Sequence, residues 1–337
     1  MKEQARGGIE NFDKKLSQLL LFAVPTLILI IALIFREINI KDLPKLINLK
    51  GILYITLTLL FIWIFNAIKM LAVVRIMQGG ISFYKSLQVV LAAVFGANIT
   101  PFYSGGALAQ AYFLTKHSKN MGKSSAVSMA YLILSLIISI VFCIIFIISP
   151  HQFITGVRGN FFLGLVIFVL FLSVIIILLI KYPKNAKTLI EKIYKKIAKK
   201  NINDEKFNET LFQFSEGFEL LFRNNSKSML LALISAFASQ FLNICLTPLS
   251  FYALHIPFRF SEIFLTQIAM QFTVSLGASP GGIGVIEGAF AGFFYPLAPE
   301  KIALLTFVYR LTSFYIPTFI GSFFFWLLLK EERKNDN

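Results

Sequence analysis

The chain has 337 residues, of which 57% are hydrophobic and only 15% charged, where a soluble domain carries about 25% charged residues. Its mean hydropathy of +0.74 excludes a water-soluble globule, which needs more polar surface, and a disordered chain, which is poor in apolar residues. A polytopic membrane protein remains, and the net charge of +15 reads as basic loops facing anionic lipid, not as a nucleic-acid surface.

A membrane span needs about 20 mostly apolar residues. The first such run, 16–35, follows Lys14 and Lys15. It is longer than the apolar part of a signal peptide and no A-x-A site follows it, so it is expected to be a retained anchor helix. Further full spans are expected at 51–74, 124–148, 161–180, 228–254 and 301–329. Lys69, near the inner end of its span, is expected to snorkel to the interface. Cys143 and Cys245 lie inside apolar runs, so no disulfide framework is expected.

Orientation follows from the loop 181–227, which carries eleven Lys and Arg, among them Lys192, Lys195 and Lys196, against six acids. The positive-inside rule places it in the cytoplasm. Counting outward places 116–123, with Lys116, Lys119 and Lys123, inside as well, and both termini with it. The loop 36–50 opposes this count, because it falls outside yet carries Arg36, Lys41, Lys45 and Lys50. Within the basic loop, Phe207, Leu211, Phe214, Phe218 and Phe222 recur at helical spacing, with Asn203 placed to cap the start. Such a helix either lies on the inner leaflet or packs under the bundle.

Two apolar stretches, 84–115 and 262–298, are broken by Pro and Gly. The first break is Asn98-Ile99-Thr100-Pro101-Phe102-Tyr103-Ser104-Gly105-Gly106, and the second is Gly277-Ala278-Ser279-Pro280-Gly281-Gly282-Ile283-Gly284. The arms of the first, about 22 and 18 Å as helices, are shorter than a hydrocarbon core of about 30 Å. Broken backbone at membrane depth is tolerated only within protein or beside a water-filled cavity, so re-entrant hairpins are expected. Residues 51–148 and 228–329 share one order, span, broken hairpin, span, and begin on opposite sides. The expected fold is a single all-α polytopic membrane domain over 1–337. It would have about six full spans and two broken hairpins in an inverted-topology repeat, an architecture of secondary transporters.

Charges inside apolar stretches are costly and therefore candidates for function. Glu287, just past the second break, and Arg310 are the clearest, and each is the obvious partner of the other. As a functional pair, Arg310 would hold a lipid phosphate while Glu287 meets a cationic group or a proton; otherwise they form a structural ion pair. Asn98, Thr100, Tyr103, Ser104, Gln110 and Tyr112 either contact a headgroup or re-satisfy broken backbone. Gln240, Asn243, Gln267 and Gln271 are expected to hydrogen-bond between helices. No catalytic signature is present: His117, His151 and His255 are scattered, no zinc motif occurs, and neither a G-x-S-x-G nor a Walker loop is found. No cofactor is expected.

Thr100-Pro101 with Gly105-Gly106, Pro280-Gly281-Gly282-Ile283-Gly284 with Glu287, and Tyr309-Arg310 together resemble the lysylphosphatidylglycerol synthase transmembrane-region family. This is the flippase-like membrane domain of bacterial multiple peptide resistance factors. The resemblance spans roughly 15–329 and implies lipid handling: relatives make lysyl-phosphatidylglycerol with a cytosolic transferase domain and move it to the outer leaflet, giving resistance to cationic peptides. It carries substrate contact over to Glu287, Arg310, Tyr309, Pro280, Gly281, Gly282, Gly284, Thr100, Pro101, Gly105 and Gly106. Many relatives have Gly-Gly-Glu and an Arg three residues on, where this chain has Ala107 and Gln110. No residues for the transferase reaction are expected here. The leading expectation is a phospholipid translocase of the plasma membrane. The alternative is a membrane subunit presenting lipid to a separate cytosolic transferase, docked on the basic loop.

Overall fold

The structure, a computed structural model, describes residues 48–77, 79–149, 226–274 and 279–335, with single helical positions within 164–171 and 209–220. The expected spans 16–35 and 161–180, the loop 36–47 and most of the basic loop lie outside the described residues.

Nine α-helices form the described chain: α1 (Leu49–Ile76), α2 (Phe83–Asn98), α3 (Gly105–Ser118), α4 (Met121–Ile148), α5 (Ser226–Ala253), α6 (Phe260–Val274), α7 (Val285–Phe294), α8 (Ile302–Arg310) and α9 (Ile316–Asn335). No strand occurs among the described residues, and the protein is an all-α membrane protein. Capping sets several starts: Asn48 Oδ1 accepts from Lys50 N–H at 3.0 Å, Ser82 Oγ from Lys85 N–H at 3.2 Å, and Asn120 Oδ1 from Lys123 N–H at 2.9 Å. Each satisfies a backbone donor that the first helical turn leaves without a partner.

Four described segments are long and apolar enough to cross a membrane: Leu49–Ile76, Met121–Ile148, Lys227–Ala253 and Pro299–Glu331. They match the expected spans at 51–74, 124–148, 228–254 and 301–329. The last one departs from a regular helix, because α8 and α9 are joined by a π turn at Leu311–Tyr315. Outward-facing Leu57, Phe61, Ile234, Phe241, Phe319 and Phe323 are exposed, as suits side chains turned to lipid.

The helices pair in a reciprocal pattern. α1 lies along α5, α2 along α9, and α4 touches α6, while the 3-10 turns Pro101–Tyr103 and Pro280–Gly282 face each other. Small residues allow the close approaches: a Cβ on Gly51 would fall 2.5 Å from Ala253 Cα, and one on Gly321 would fall 2.6 Å from the Leu91 carbonyl oxygen. α2 and α9 are tied further by Asn98 Nδ2, which donates to Thr318 Oγ1 at 2.7 Å, and by Lys85 Nζ on Glu331 Oε2 at 2.5 Å.

Of the two places open to the amphipathic segment of the basic loop, the described positions take the one under the bundle. A Cβ on Gly122, in the first turn of α4, would lie 2.5 Å from both Gln213 Cβ and the Thr210 carbonyl oxygen. Phe214 packs against the cluster that α1, α2 and α4 form. Phe214 therefore points into protein, and the leaflet-lying arrangement does not describe this part.

Lys69 departs from expectation. It does not snorkel, being 2% exposed, with its ammonium donating to Ser135 Oγ at 2.7 Å. The side chain of α4 offers it a partner nearer than the interface.

The glycines of the two broken stretches differ in what surrounds them. A Cβ on Gly105 would lie 2.3 Å from the Gly96 carbonyl oxygen and 2.7 Å from the Thr100 side chain, whereas one on Gly288 meets nothing within 4 Å. Gly105→Ala is expected to destabilise by about 1–3 kcal/mol through overpacking. Gly288→Ala is expected to be neutral or to stabilise by up to about 1 kcal/mol through helix propensity. Thermal unfolding of the two variants in the same detergent checks this; equal midpoints would contradict it.

Candidate functional site

The second break is a closed turn. Gly282 N–H donates to the Ser279 carbonyl at 2.9 Å, and Ser279 Oγ donates to the Ile283 carbonyl at 2.8 Å. Gly281 and Gly282 adopt left-handed φ of 61° and 63°, a conformation that glycine takes without steric penalty. The Phe314 ring lies flush against the turn, 2.1 Å from where a Gly281 Cβ would stand.

Glu287 is the third residue of α7. Its Oε2 accepts from the Gly284 N–H at 2.7 Å, so the carboxylate caps its own helix, where negative charge is favourable. Its Oε1 lies 2.8 Å from Arg310 Nε, with side-chain exposures of 11% for Glu287 and 1% for Arg310. Arg310 closes α8 immediately before the π turn. Its Nη2 donates to the Gly281 carbonyl at 3.2 Å, and its guanidinium sits 4.4 Å from the Phe314 ring centre. One buried cation thus binds the α7 carboxylate, the turn carbonyl and an aromatic face.

The first break reaches this cluster through one residue. Phe102 and Tyr103 adopt left-handed φ of 53° and 56° without being glycine, which costs about 1–2 kcal/mol per residue. Tyr103 Oη lies 3.1 Å from where a Gly282 Cβ would be, and the hydroxyl faces Arg310. Tyr309 stacks on Phe290, with ring centres 4.3 Å apart.

The expected site residues therefore separate. Glu287, Arg310, Gly281, Gly282, Gly284 and Pro280 come together, with Tyr309 beside them. Asn98 is engaged with Thr318 on α9. Thr100 Oγ1 donates to the Gly96 and Ala97 carbonyls at 2.9 and 3.1 Å and accepts the Gly105 N–H at 2.7 Å. Of the two roles open to Thr100, the structure places it on broken backbone. Gly106 packs on Ala97 of α2, and Gln110 Oε1 accepts from Ser128 Oγ on α4 at 3.3 Å. Pro101 opens the first turn. Gln240 Nε2 donates to Gln271 Oε1 at 3.1 Å and Thr247 to Gln267 Oε1 at 2.9 Å, as expected of interhelical amides. Sequence reasoning missed Phe314, whose place on the far side of a π turn follows no regular helical register. Among the described residues no cluster of three or more His, Cys, Asp or Glu could hold a metal.

A helical membrane protein with a buried ion pair set against two facing helix breaks is the class that this fold and site define. The chain belongs to the family described as the lysylphosphatidylglycerol synthase TM region, whose model matches residues 17–321. It is similar to a UPF0104 membrane protein of Archaeoglobus fulgidus, 22% identical over 270 residues covering 77% of this chain and 81% of the relative. It is also similar to a UPF0104 membrane protein of Pyrococcus horikoshii, 26% identical over 268 residues covering 75% of this chain and 78% of the relative. No solved structure matches.

Proposed function

We propose that the protein is a phospholipid translocase of the plasma membrane, with Arg310 and Glu287 as the headgroup site. The observation that carries this reading is the asymmetry of the pair: the arginine is 1% exposed and the acid 11%. A ligand therefore meets the carboxylate first. Open space lies beside it, because neither Gly284 nor Gly288 has an atom within 4 Å of a built Cβ. Arginine has five N–H donors, of which Nε faces Glu287 and one at Nη2 serves Gly281. A lipid phosphate would take Arg310 by displacing Glu287, and the freed carboxylate would pair with a cationic headgroup such as an aminoacyl group. The acyl chains would stay in lipid.

The helix pairings support an inverted repeat. A two-fold relation that exchanges two units pairs equivalent elements with themselves and others reciprocally. α1 with α5 and turn with turn are self-pairings; α2 with α9 and α6 with α4 are a reciprocal set. In this reading the two broken stretches are re-entrant hairpins entering from opposite sides, both termini are cytoplasmic, and rocking of the units alternates access.

The test is transfer of labelled phosphatidylglycerol and lysyl-phosphatidylglycerol between leaflets of proteoliposomes. Wild type is expected to move lipid, and Glu287→Gln to slow transfer about tenfold or more while remaining folded, equivalent to at least about 1.4 kcal/mol at the rate-limiting step. Transfer unaffected by the substitution removes Glu287 from the mechanism. Absence of transfer in the wild type with every lipid moves the assignment to a membrane subunit that presents lipid to a separate transferase.

A further inference from the structure

Lys69 on α1 presents a second buried cation, on the other unit. It is 2% exposed; its ammonium donates to Ser135 Oγ at 2.7 Å and lies 3.6 Å from the centre of the Tyr131 ring. Tyr131 is held in place by its hydroxyl, which donates to Asn66 Oδ1 at 2.8 Å. Unlike Arg310, Lys69 has no carboxylate: α1 itself and α2, α4 and α5, the helices packed against it, contain no Asp or Glu. Tyr131 is the ionisable group that faces it. Lys85, Lys123 and Lys227 stand at the starts of α2, α4 and α5, Arg75 stands at the end of α1, and Cys143 belongs to a separate apolar cluster.

A buried ammonium without an anion is costly, and it lowers that cost by recruiting an anion or by giving up its proton. Packing this close favours a proton over a phosphate as the exchangeable partner. A file of polar groups leads away from it. Ser139, one turn beyond Ser135, donates to the Ser135 carbonyl at 3.0 Å, and Gln240 Nε2 reaches Ser139 Oγ at 3.5 Å and Gln271 Oε1 at 3.1 Å. Gln267, one turn before Gln271, meets the Tyr309 hydroxyl, next to Arg310. The repeat register gives a second observation: Tyr131 stands 30 residues after Pro101, as Arg310 stands 30 after Pro280. The cation over Tyr131 thus takes, in the first unit, the place that the guanidinium has in the second.

We propose that Lys69 is the proton-carrying group of the translocation cycle, coupling lipid movement at Arg310 to a proton gradient. The amine takes one proton from one side of the membrane, and the ammonium returns it to the other; no electrons move and no covalent bond between heavy atoms changes. This inference rests on the translocase reading and names its energy source.

The experiment uses the full chain in vesicles of phosphatidylcholine and phosphatidylglycerol, with labelled phosphatidylglycerol as probe and a pH gradient across the membrane. With one proton per lipid, a gradient of one pH unit is worth about 1.4 kcal/mol and drives the label to a steady-state leaflet ratio of about ten. Wild type is expected to reach that ratio, and a trapped pH dye to report proton movement with the lipid. Lys69→Met is expected to move lipid but leave it evenly distributed. Lys69→Arg, which keeps the charge but does not release its proton, is expected to lose the asymmetry too, and this distinguishes a carrier from a structural cation. A folded Lys69→Met or Lys69→Arg that still builds the asymmetry overturns the proposal, as does a wild type that distributes lipid evenly under the gradient; in both cases the translocase reading stands. A wild type that moves no lipid at all overturns both.

Discussion

Arg310→Ala is expected to destabilise the protein by about 3–5 kcal/mol, the range for removing one partner of a buried ion pair. The loss has three parts that share one origin. Glu287 keeps its Gly284 N–H but loses its counter-ion at 2.8 Å, and the Gly281 carbonyl loses its donor. The space vacated by a side chain only 1% exposed is walled by Phe314, which cannot collapse into it without disturbing the turn. Glu287→Gln should cost less, because the amide oxygen can still accept from Arg310 and the acid is the more exposed partner. The double variant Arg310→Ala with Glu287→Gln should be less destabilised than the sum of the two singles, since it leaves no unpaired charge. Thermal unfolding of the four proteins in one detergent completes the cycle. Strict additivity would show that the pair does not interact and that the 2.8 Å contact is incidental.

The ion pair was legible in the sequence because a charge inside an apolar run stands out without any structure, and two of them flanking one hairpin have few other partners. The span boundaries were legible for the same reason. What was hidden depends on contacts that no local pattern encodes. Lys69 resembles any lysine near the end of a span, and snorkelling is its default; only Ser135 and Tyr131, 66 and 62 residues away, make burial preferable. The phenylalanine spacing around Phe214 is the same whether the apolar face meets lipid or protein, and Gly122 and Ala126 of α4 decide it by leaving room for a helix. Thr100 and Asn98 carry groups suited to a headgroup, yet breaking a helix frees carbonyls that a nearby hydroxyl satisfies first. The π turn after Arg310 leaves no mark in an apolar sequence. It nevertheless determines the site, because the extra residue swings Phe314 onto the second break.

Gly281→Ala is expected to be among the most damaging single-methyl additions in the chain, and the reasons are separable. At φ 61° an alanine pays about 1–2 kcal/mol for the left-handed conformation alone. Its Cβ would then stand 2.1 Å from Phe314 Cε2 and 2.8 Å from Cζ, well inside contact distance, and Phe314 is 2% exposed and packs with Phe95, Ile99 and Ile283. Moving the ring would withdraw the aromatic face from Arg310 and disturb the carbonyl that Arg310 holds, so the clash spreads to the ion pair. Overpacking of this kind costs a further 1–3 kcal/mol or about that. Gly284→Ala is the informative control: its φ of 86° carries the backbone penalty, but no atom lies within 4 Å of its Cβ. The difference in unfolding midpoint between the two variants therefore isolates the steric part. Adding Phe314→Leu to Gly281→Ala should recover part of that difference and none of the conformational part. If the two glycine variants unfold together, the ring does not pack against the turn and the link from Phe314 to Arg310 is lost with it.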